Sequence, residues 1–219
     1  MVAMRDTCGG YKPEGRHRRS HRSAVVLIPP QAVWEPIQQI RKTRDRQIRR
    51  WMPHITLLYP FYEGVDRESV RPVLSEACQR VQPSDVTLSQ FGHFRHRPRN
   101  SDPTGARDPH TVWVSPEPLS TLQILHEALM ASCPDCVETG RHAGGFTPHL
   151  TVGQVRGVEP CNSLLRTLQN GWSPITFRAD RISVIARGEP PEDVFHVLWQ
   201  IALGSGEITE GDGLEAQAC

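Results

Sequence analysis

The feature that most constrains this chain is a repeat. Trp51-Met52-Pro53-His54-Ile55-Thr56-Leu57 aligns with Phe146-Thr147-Pro148-His149-Leu150-Thr151-Val152. Both follow one pattern: aromatic, any residue, Pro, His, aliphatic, Thr, aliphatic. The two histidines lie 95 residues apart, near half of the 219-residue chain. Similar β/α patterns recur around each copy, so the repeat predicts two related lobes, each offering one equivalent strand. Side chains alternate between the two faces of a strand. His54 and Thr56 then share a face while Ile55 and Leu57 turn to the core. His149 and Thr151 do the same against Leu150 and Val152. Each Pro stands at a strand start, where its missing N–H breaks no ladder bond.

Two such strands facing one cleft bring two imidazoles and two hydroxyls into one small volume. Imidazole titrates near ~6.5, so one ring can be neutral while the other carries a proton. That pair supplies a general base and a general acid, each worth on the order of 10²–10⁴ in rate. Phosphoryl transfer needs such groups on opposite sides of phosphorus, because the attacking and leaving oxygens are roughly in line. The threonine hydroxyls can donate to the non-bridging oxygens. This arrangement requires no metal and no cofactor. A single His-x-Thr in a strand carries little information, since Thr favours strands and a half-exposed His is ordinary. Two copies with the same Pro and the same flanking apolar residues carry much more.

The paired motifs His54-Ile55-Thr56 and His149-Leu150-Thr151 resemble those of the 2H phosphoesterase superfamily, which includes 2′-5′ RNA ligase-like proteins and cyclic phosphodiesterases. The longer strings Pro53-His54-Ile55-Thr56-Leu57-Leu58 and Pro148-His149-Leu150-Thr151-Val152-Gly153 are similar to the family's strands. The likeness spans about residues 23–203. It implies an α+β, bilobal fold with a pseudo-two-fold repeat, antiparallel sheets lining a central cleft and helices outside. It implies a metal-independent phosphodiesterase acting on RNA ends or nucleotides, with His54, Thr56, His149 and Thr151 as its catalytic residues. One His would activate water against a 2′,3′-cyclic phosphate, or a 2′-5′ or 3′-5′ linkage. The other would protonate the leaving ribose oxygen, and the resemblance does not say which. A non-catalytic RNA- or nucleotide-binding module and a 2′-5′ RNA end ligase stand as alternatives.

The rest of the chain supplies the frame. Residues 1–22 carry Arg5, Lys12, Arg16, Arg18, Arg19 and Arg22 against Asp6 and Glu14, with no apolar period, and predict a disordered basic arm. Residues 204–219 predict a flexible acidic tail. Between them, strands are expected at 24–28, 54–59, 86–94, 111–114, 146–155, 176–187 and 194–203. Helices are expected over 31–48, 68–81, 119–133 and 162–170. Residues 95–110, with Arg95, His96, Arg97, Arg99, Arg107 and His110, are expected to form a polar loop.

Residues 41–50 carry six cations against Asp45. They fit equally a run that attracts phosphate and a solvated helix face. Arg187 is a weaker candidate for a phosphate contact. Phe61, Tyr62, Phe91, Phe94 and Trp113 are candidates for base stacking, with core packing the commoner role. Cys133-Pro-Asp-Cys136 lacks a second ligand pair and reads as structural. His17 and His21 have finger-like spacing but no CxxC upstream. No Gly-x-Ser-x-Gly, phosphate-binding GxxxxGK[ST] or HExxH motif is present. No apolar run reaches the ~18 residues of a membrane span, and the N-terminus lacks a signal-peptide core. An intracellular protein, cytoplasmic or nuclear, is expected, binding RNA or a nucleotide phosphate and no membrane. A monomer is expected.

Overall fold

The computed structural model describes residues 18–64, 67–96, 106–136 and 145–211. The expected disordered and flexible character of 1–17 and 212–219 lies outside them. Two units of the same kind follow one another. The first is β2 (Ser23–Leu27), α1 (Trp34–Arg44), β3 (Ile55–Leu58), α2 (Arg67–Gln79) and β5 (Ser84–Arg95). The second is β6 (Pro109–Glu117), α3 (Leu119–Ser132), β7 (Leu150–Arg156), α4 (Val158–Gly171) and, after β8 (Ile175–Ala179), β9 (Arg181–Ala186). β10 (His196–Ala202) and β11 (Ile208–Glu210) follow, while β1 (Arg19–Ser20) pairs with β4 (Phe61–Tyr62). Short strands therefore lie on both sides of the expected 23–203 core.

Among the described residues the main sheet has the order β11-β10-β9-β2-β3-β7-β6-β5-β8, every pairing antiparallel. This is the expected α+β class. The third strand of each unit crosses to the other half: β5 joins β6, and β9 joins β2. The halves meet where β3 and β7 pair, at Ile55 opposite Leu150. The repeat thus forms one continuous sheet with a narrow junction. That sheet cannot be flat. β9 and β8 stand six positions apart in strand order, roughly 29 Å at about 4.8 Å per strand. Yet Asp180 alone separates them in the chain, a reach of roughly 7 Å. The sheet must curl until the edge strand β8 approaches β9.

The core explains the strand patterns. Ala24 to Leu27 of β2 are all buried because both faces are covered. Val25 and Leu27 join the main core with Ile55, Leu57, Leu150 and Val152, beneath α2, α3 and α4. Ala24 and Val26 join a second cluster with Trp34, Met52, Ile185, Phe195 and Val197. An unbroken apolar run is what a strand covered on both faces requires.

Several expected elements differ in extent. The helix expected over 31–48 is a short 3-10 turn followed by α1, which stops at Arg44. Asp45 takes extended backbone there, and its carboxylate accepts from Arg41 Nε (2.8 Å) and from the Gln47 N–H (2.9 Å). Side-chain acceptors of this kind compete with helix continuation. The strand expected over 176–187 is two strands, β8 and β9, serving opposite halves of the sheet. The polar loop expected over 95–110 is shorter: β5 runs to Arg95 and β6 starts at Pro109, while 97–105 lie outside the described residues. The helix expected over 162–170 starts four residues earlier, at Val158.

Candidate active site

His54, Thr56, His149 and Thr151 are each half-buried, while Ile55, Leu57, Leu150 and Val152 between and after them are fully buried. The expected alternation therefore holds, although β3 and β7 begin at Ile55 and Leu150, so each His stands one residue before its strand. The antiparallel pair Ile55–Leu150 sets equivalent residues of the two motifs opposite each other. Carried one residue to either side, that pairing sets Thr151 opposite His54 and His149 opposite Thr56. Directly opposed residues of an antiparallel pair point to the same face, so all four side chains share one face. The two histidines are diagonal neighbours, at a Cβ separation on the order of 7 Å. The local two-fold axis passes between Ile55 and Leu150.

Each imidazole is held in the same way. Nδ1 of His54 lies 2.7 Å from the Met52 carbonyl oxygen, and Nδ1 of His149 lies 2.8 Å from that of Thr147. A carbonyl only accepts, so both Nδ1 atoms carry the hydrogen and donate it. This fixes the neutral tautomer of each ring and leaves Nε2 as the nitrogen that can gain a proton. The tether runs two residues back along the chain in both copies, across the buried Pro53 and Pro148.

Surroundings break the equivalence. The Trp51 ring stacks on His54 with centroids 4.6 Å apart, and Trp51 itself stacks on Phe195 at 3.8 Å. The matching aromatic of the second motif does something else: Phe146 stacks on His126 of α3 at 3.8 Å. The His149 ring instead stands perpendicular to that of Phe94 at 4.8 Å and meets Trp113 at 6.1 Å. Trp113 lies over Gly92, its opposite residue on β5, where a Cβ would come within 2.3 Å of the indole. Burial pushes the His54 pKa down to about 4, and the positive charges of Arg41 and His149 push the same way. The Met52 carbonyl and the Asp45 carboxylate oppose the shift without reversing it. His54 is therefore neutral at neutral pH.

Arg41 is buried in the C-terminal part of α1. Its guanidinium donates to Asp45 (2.8 Å), Gln38 (3.0 Å) and the Trp51 carbonyl (2.8 Å). Gln154 of β7 donates to Asp45 at 3.1 Å and accepts from the Arg46 N–H at 3.0 Å. The network joins the segment before the first motif to the strand of the second. At Gly153 the missing side chain admits Arg44, which a Cβ would meet at 2.5 Å.

The secondary candidates sort by position. Of the run 41–50, Arg41 is committed to Asp45, and Arg49 and Arg50 both bind the carboxylate of Asp193. Phe61 and Tyr62 belong to the main core, and Phe91 packs edge-on against Trp172. Phe94 and Trp113 do reach the site. Arg187 lies over the Phe195 ring at 5.6 Å. Cys133 and Cys136 are buried free thiols of the main core. Arg95 pairs with Asp108 at 2.8 Å, and His110 is buried. The contributions of Arg41 and of Trp51 as a ring partner were not read from the sequence. The i,i+4 spacing of Arg41 and Asp45 was visible, but its burial depends on β7 and the Trp51 carbonyl.

No helix among the described residues is long and apolar enough to cross a membrane. Among solved structures, Escherichia coli LigT in complex with 3′-AMP superposes with a TM-score of 0.53 at 17% identity, covering 84% of this chain and 98% of that one. That likeness shows the fold. A Geobacillus kaustophilus protein named provisionally as a phosphoesterase is 25% identical over 190 residues, covering 85% of this chain and 92% of the relative. A Bacillus pumilus protein of the same provisional name is 28% identical over 188 residues, covering 85% and 93%. The model of the 2′-5′ RNA ligase superfamily matches residues 29–191. That span takes in both motif strands and well over half of the sequence, and the chain belongs to the 2′-5′ RNA ligase superfamily of 2H phosphoesterases.

Proposed function

We propose that the protein is a phosphodiesterase acting on RNA ends or nucleotides through His54, Thr56, His149 and Thr151, without a metal at phosphorus. The observation that carries this reading is the Ile55–Leu150 pair, which sets two identically tethered imidazoles and two hydroxyls on one face about a local two-fold axis. A phosphate above that pair has an imidazole Nε2 to either side, as in-line displacement needs. His54, held neutral, takes the proton of the attacking water as the water oxygen bonds to phosphorus. His149 gives a proton from Nε2 to the ribose oxygen as its bond to phosphorus breaks. Thr56 and Thr151 donate to the non-bridging oxygens. An anionic phosphate between the rings favours their charged forms, which raises the basicity of His54 on binding.

The substrate class is a 2′,3′-cyclic phosphate, or a 2′-5′ or 3′-5′ phosphodiester. Phe94 and Trp113 beside His149 and Trp51 beside His54 offer aromatic surface where a ribose would carry its base. The test is hydrolysis of a nucleoside 2′,3′-cyclic phosphate with EDTA present. Turnover is expected, and His54→Ala and His149→Ala should each lower kcat/KM by about 10²-fold or more. Full activity in either variant overturns the mechanism. Joined ends rather than hydrolysed ones, from 5′-hydroxyl and cyclic-phosphate RNAs, would assign ligation instead.

A further inference from the structure

The face of β5 and β6 opposite Phe94 and Trp113 carries a second cluster of chemistry-bearing side chains. In the β5–β6 register His93 stands opposite Val112, and His110 stands opposite Arg95. The two histidines are therefore diagonal neighbours, with ring centroids 4.9 Å apart. Cys161, in the first turn of α4, packs down on the same place. One ring nitrogen from each histidine and the Cys161 Sγ all lie within 4.8 Å of one another.

The His110 ring needs an explanation. His110 is 1% exposed, and neither Nδ1 nor Nε2 has a hydrogen-bond partner among the described residues. A neutral imidazole always has one N–H donor and one acceptor nitrogen. Leaving both buried and unmatched is costly, and such groups in folded proteins usually mark a missing ligand, water or ion. Asp108, the nearby buried carboxylate, is already bound to Arg95 at 2.8 Å. It does not satisfy the ring.

We propose that His93, His110 and Cys161 bind a zinc ion. Two imidazole nitrogens and one thiolate match the donor set that Zn²⁺ prefers. The hard cations Mg²⁺ and Ca²⁺ take oxygen ligands, which this cluster lacks. With Zn–N near 2.0 Å and Zn–S near 2.3 Å, tetrahedral ligand atoms lie roughly 3.3–3.6 Å apart. Small side-chain rotations bring the observed set to that spacing. The three residues fill three of four positions. They come from β5, β6 and α4, so a bound ion clamps the helix to the two strands that carry Phe94 and Trp113 on their other face. The ligands are separated by 17 and 51 residues in the sequence, which is why no metal spacing is legible there.

The test reads metal binding and does not depend on the phosphodiesterase reading. The full chain, stripped with a chelator and held reduced, is titrated with Co²⁺ and then Zn²⁺. One equivalent of Co²⁺ should give a thiolate-to-cobalt charge-transfer band that Zn²⁺ abolishes. Cys161→Ser should lose the band while keeping its circular dichroism. His93→Gln, at the half-buried ligand, should bind at least about tenfold more weakly and serves if Cys161→Ser does not fold. The Cys133→Ser/Cys136→Ser variant should keep the band. No saturable band in the native chain overturns the proposal. So does a band that survives Cys161→Ser, or one that disappears only with the Cys133 and Cys136 thiols.

Discussion

His54→Asn tests the electrostatics of the site through folding stability alone. Asn keeps an N–H donor near the place of Nδ1 and removes the titrating ring. Native His54 has its pKa pushed down to about 4, against 6.5 for an unperturbed ring. Above pH 6.5 neither folded nor unfolded His54 holds the proton, and the ring adds no pH dependence. Below 6.5 the unfolded chain takes up a proton that the folded chain refuses until about pH 4. Stability is therefore lost as pH falls through that window. A gap of about 2.5 pH units corresponds to about 3 kcal/mol. His110 and His126 are shifted the same way, but they are present in both proteins and cancel in the comparison. Urea unfolding at pH 7 and pH 4.5, analysed by linear extrapolation, measures the difference. The native chain should lose on the order of 2–3 kcal/mol more than His54→Asn on that descent. Parallel pH profiles would refute the argument that burial and Arg41 hold His54 neutral.

Gly92→Ala places a Cβ within 2.3 Å of the Trp113 indole and should cost about 1–3 kcal/mol, as overpacking does; Trp fluorescence and KM for a cyclic nucleotide should change more than kcat. Arg41→Ala removes the countercharge of the buried Asp45 carboxylate and should cost about 3–5 kcal/mol in urea unfolding, whereas the paired Arg41→Met/Asp45→Leu change should cost less. Leu150→Ala removes a fully buried side chain at the junction of the sheet halves and should cost about 2–5 kcal/mol; it should also slow turnover, because both motif strands are held by that pair.

The His-x-Thr display was legible because strand alternation is local. Once Ile55 and Leu57 are core residues, His54 and Thr56 have one place to point. The chain could not disclose the register that joins the motifs, since 94 residues lie between His54 and His149 and nothing in that interval encodes Ile55 opposite Leu150. The split at Asp180 was also hidden. Residues 176–187 have the composition of one strand, and only the curled sheet makes the first part serve β5 and the second serve β2. Helix α1 was overrun because Asp45 looks like one acid in a basic run. Its bonds from Arg41 and Gln47 are local, but the bond from Gln154 exists only after β7 has docked. The aromatic partners divide similarly. Phe94 and Trp113 were visible as candidates, but that they and not Phe91 reach a histidine depends on which face of β5 and β6 is covered by α4.

A repeat that makes two histidines equivalent also creates a difficulty, because a general acid and a general base must differ. Two rings in identical surroundings have equal claims to one proton. The motif cannot resolve this, since it supplies the same Pro, the same carbonyl tether and the same neighbouring Thr twice. The difference arises from residues outside the shared seven. Arg41 places a buried cation near His54, and Trp51, backed by Phe195, stacks on that ring. Phe146, the counterpart of Trp51, is diverted to His126, and His149 is flanked by a perpendicular phenyl ring from β5 and an indole from β6. On the proposed mechanism the repeat defines where phosphorus sits. The unequal surroundings then assign the base to the first motif and the acid to the second.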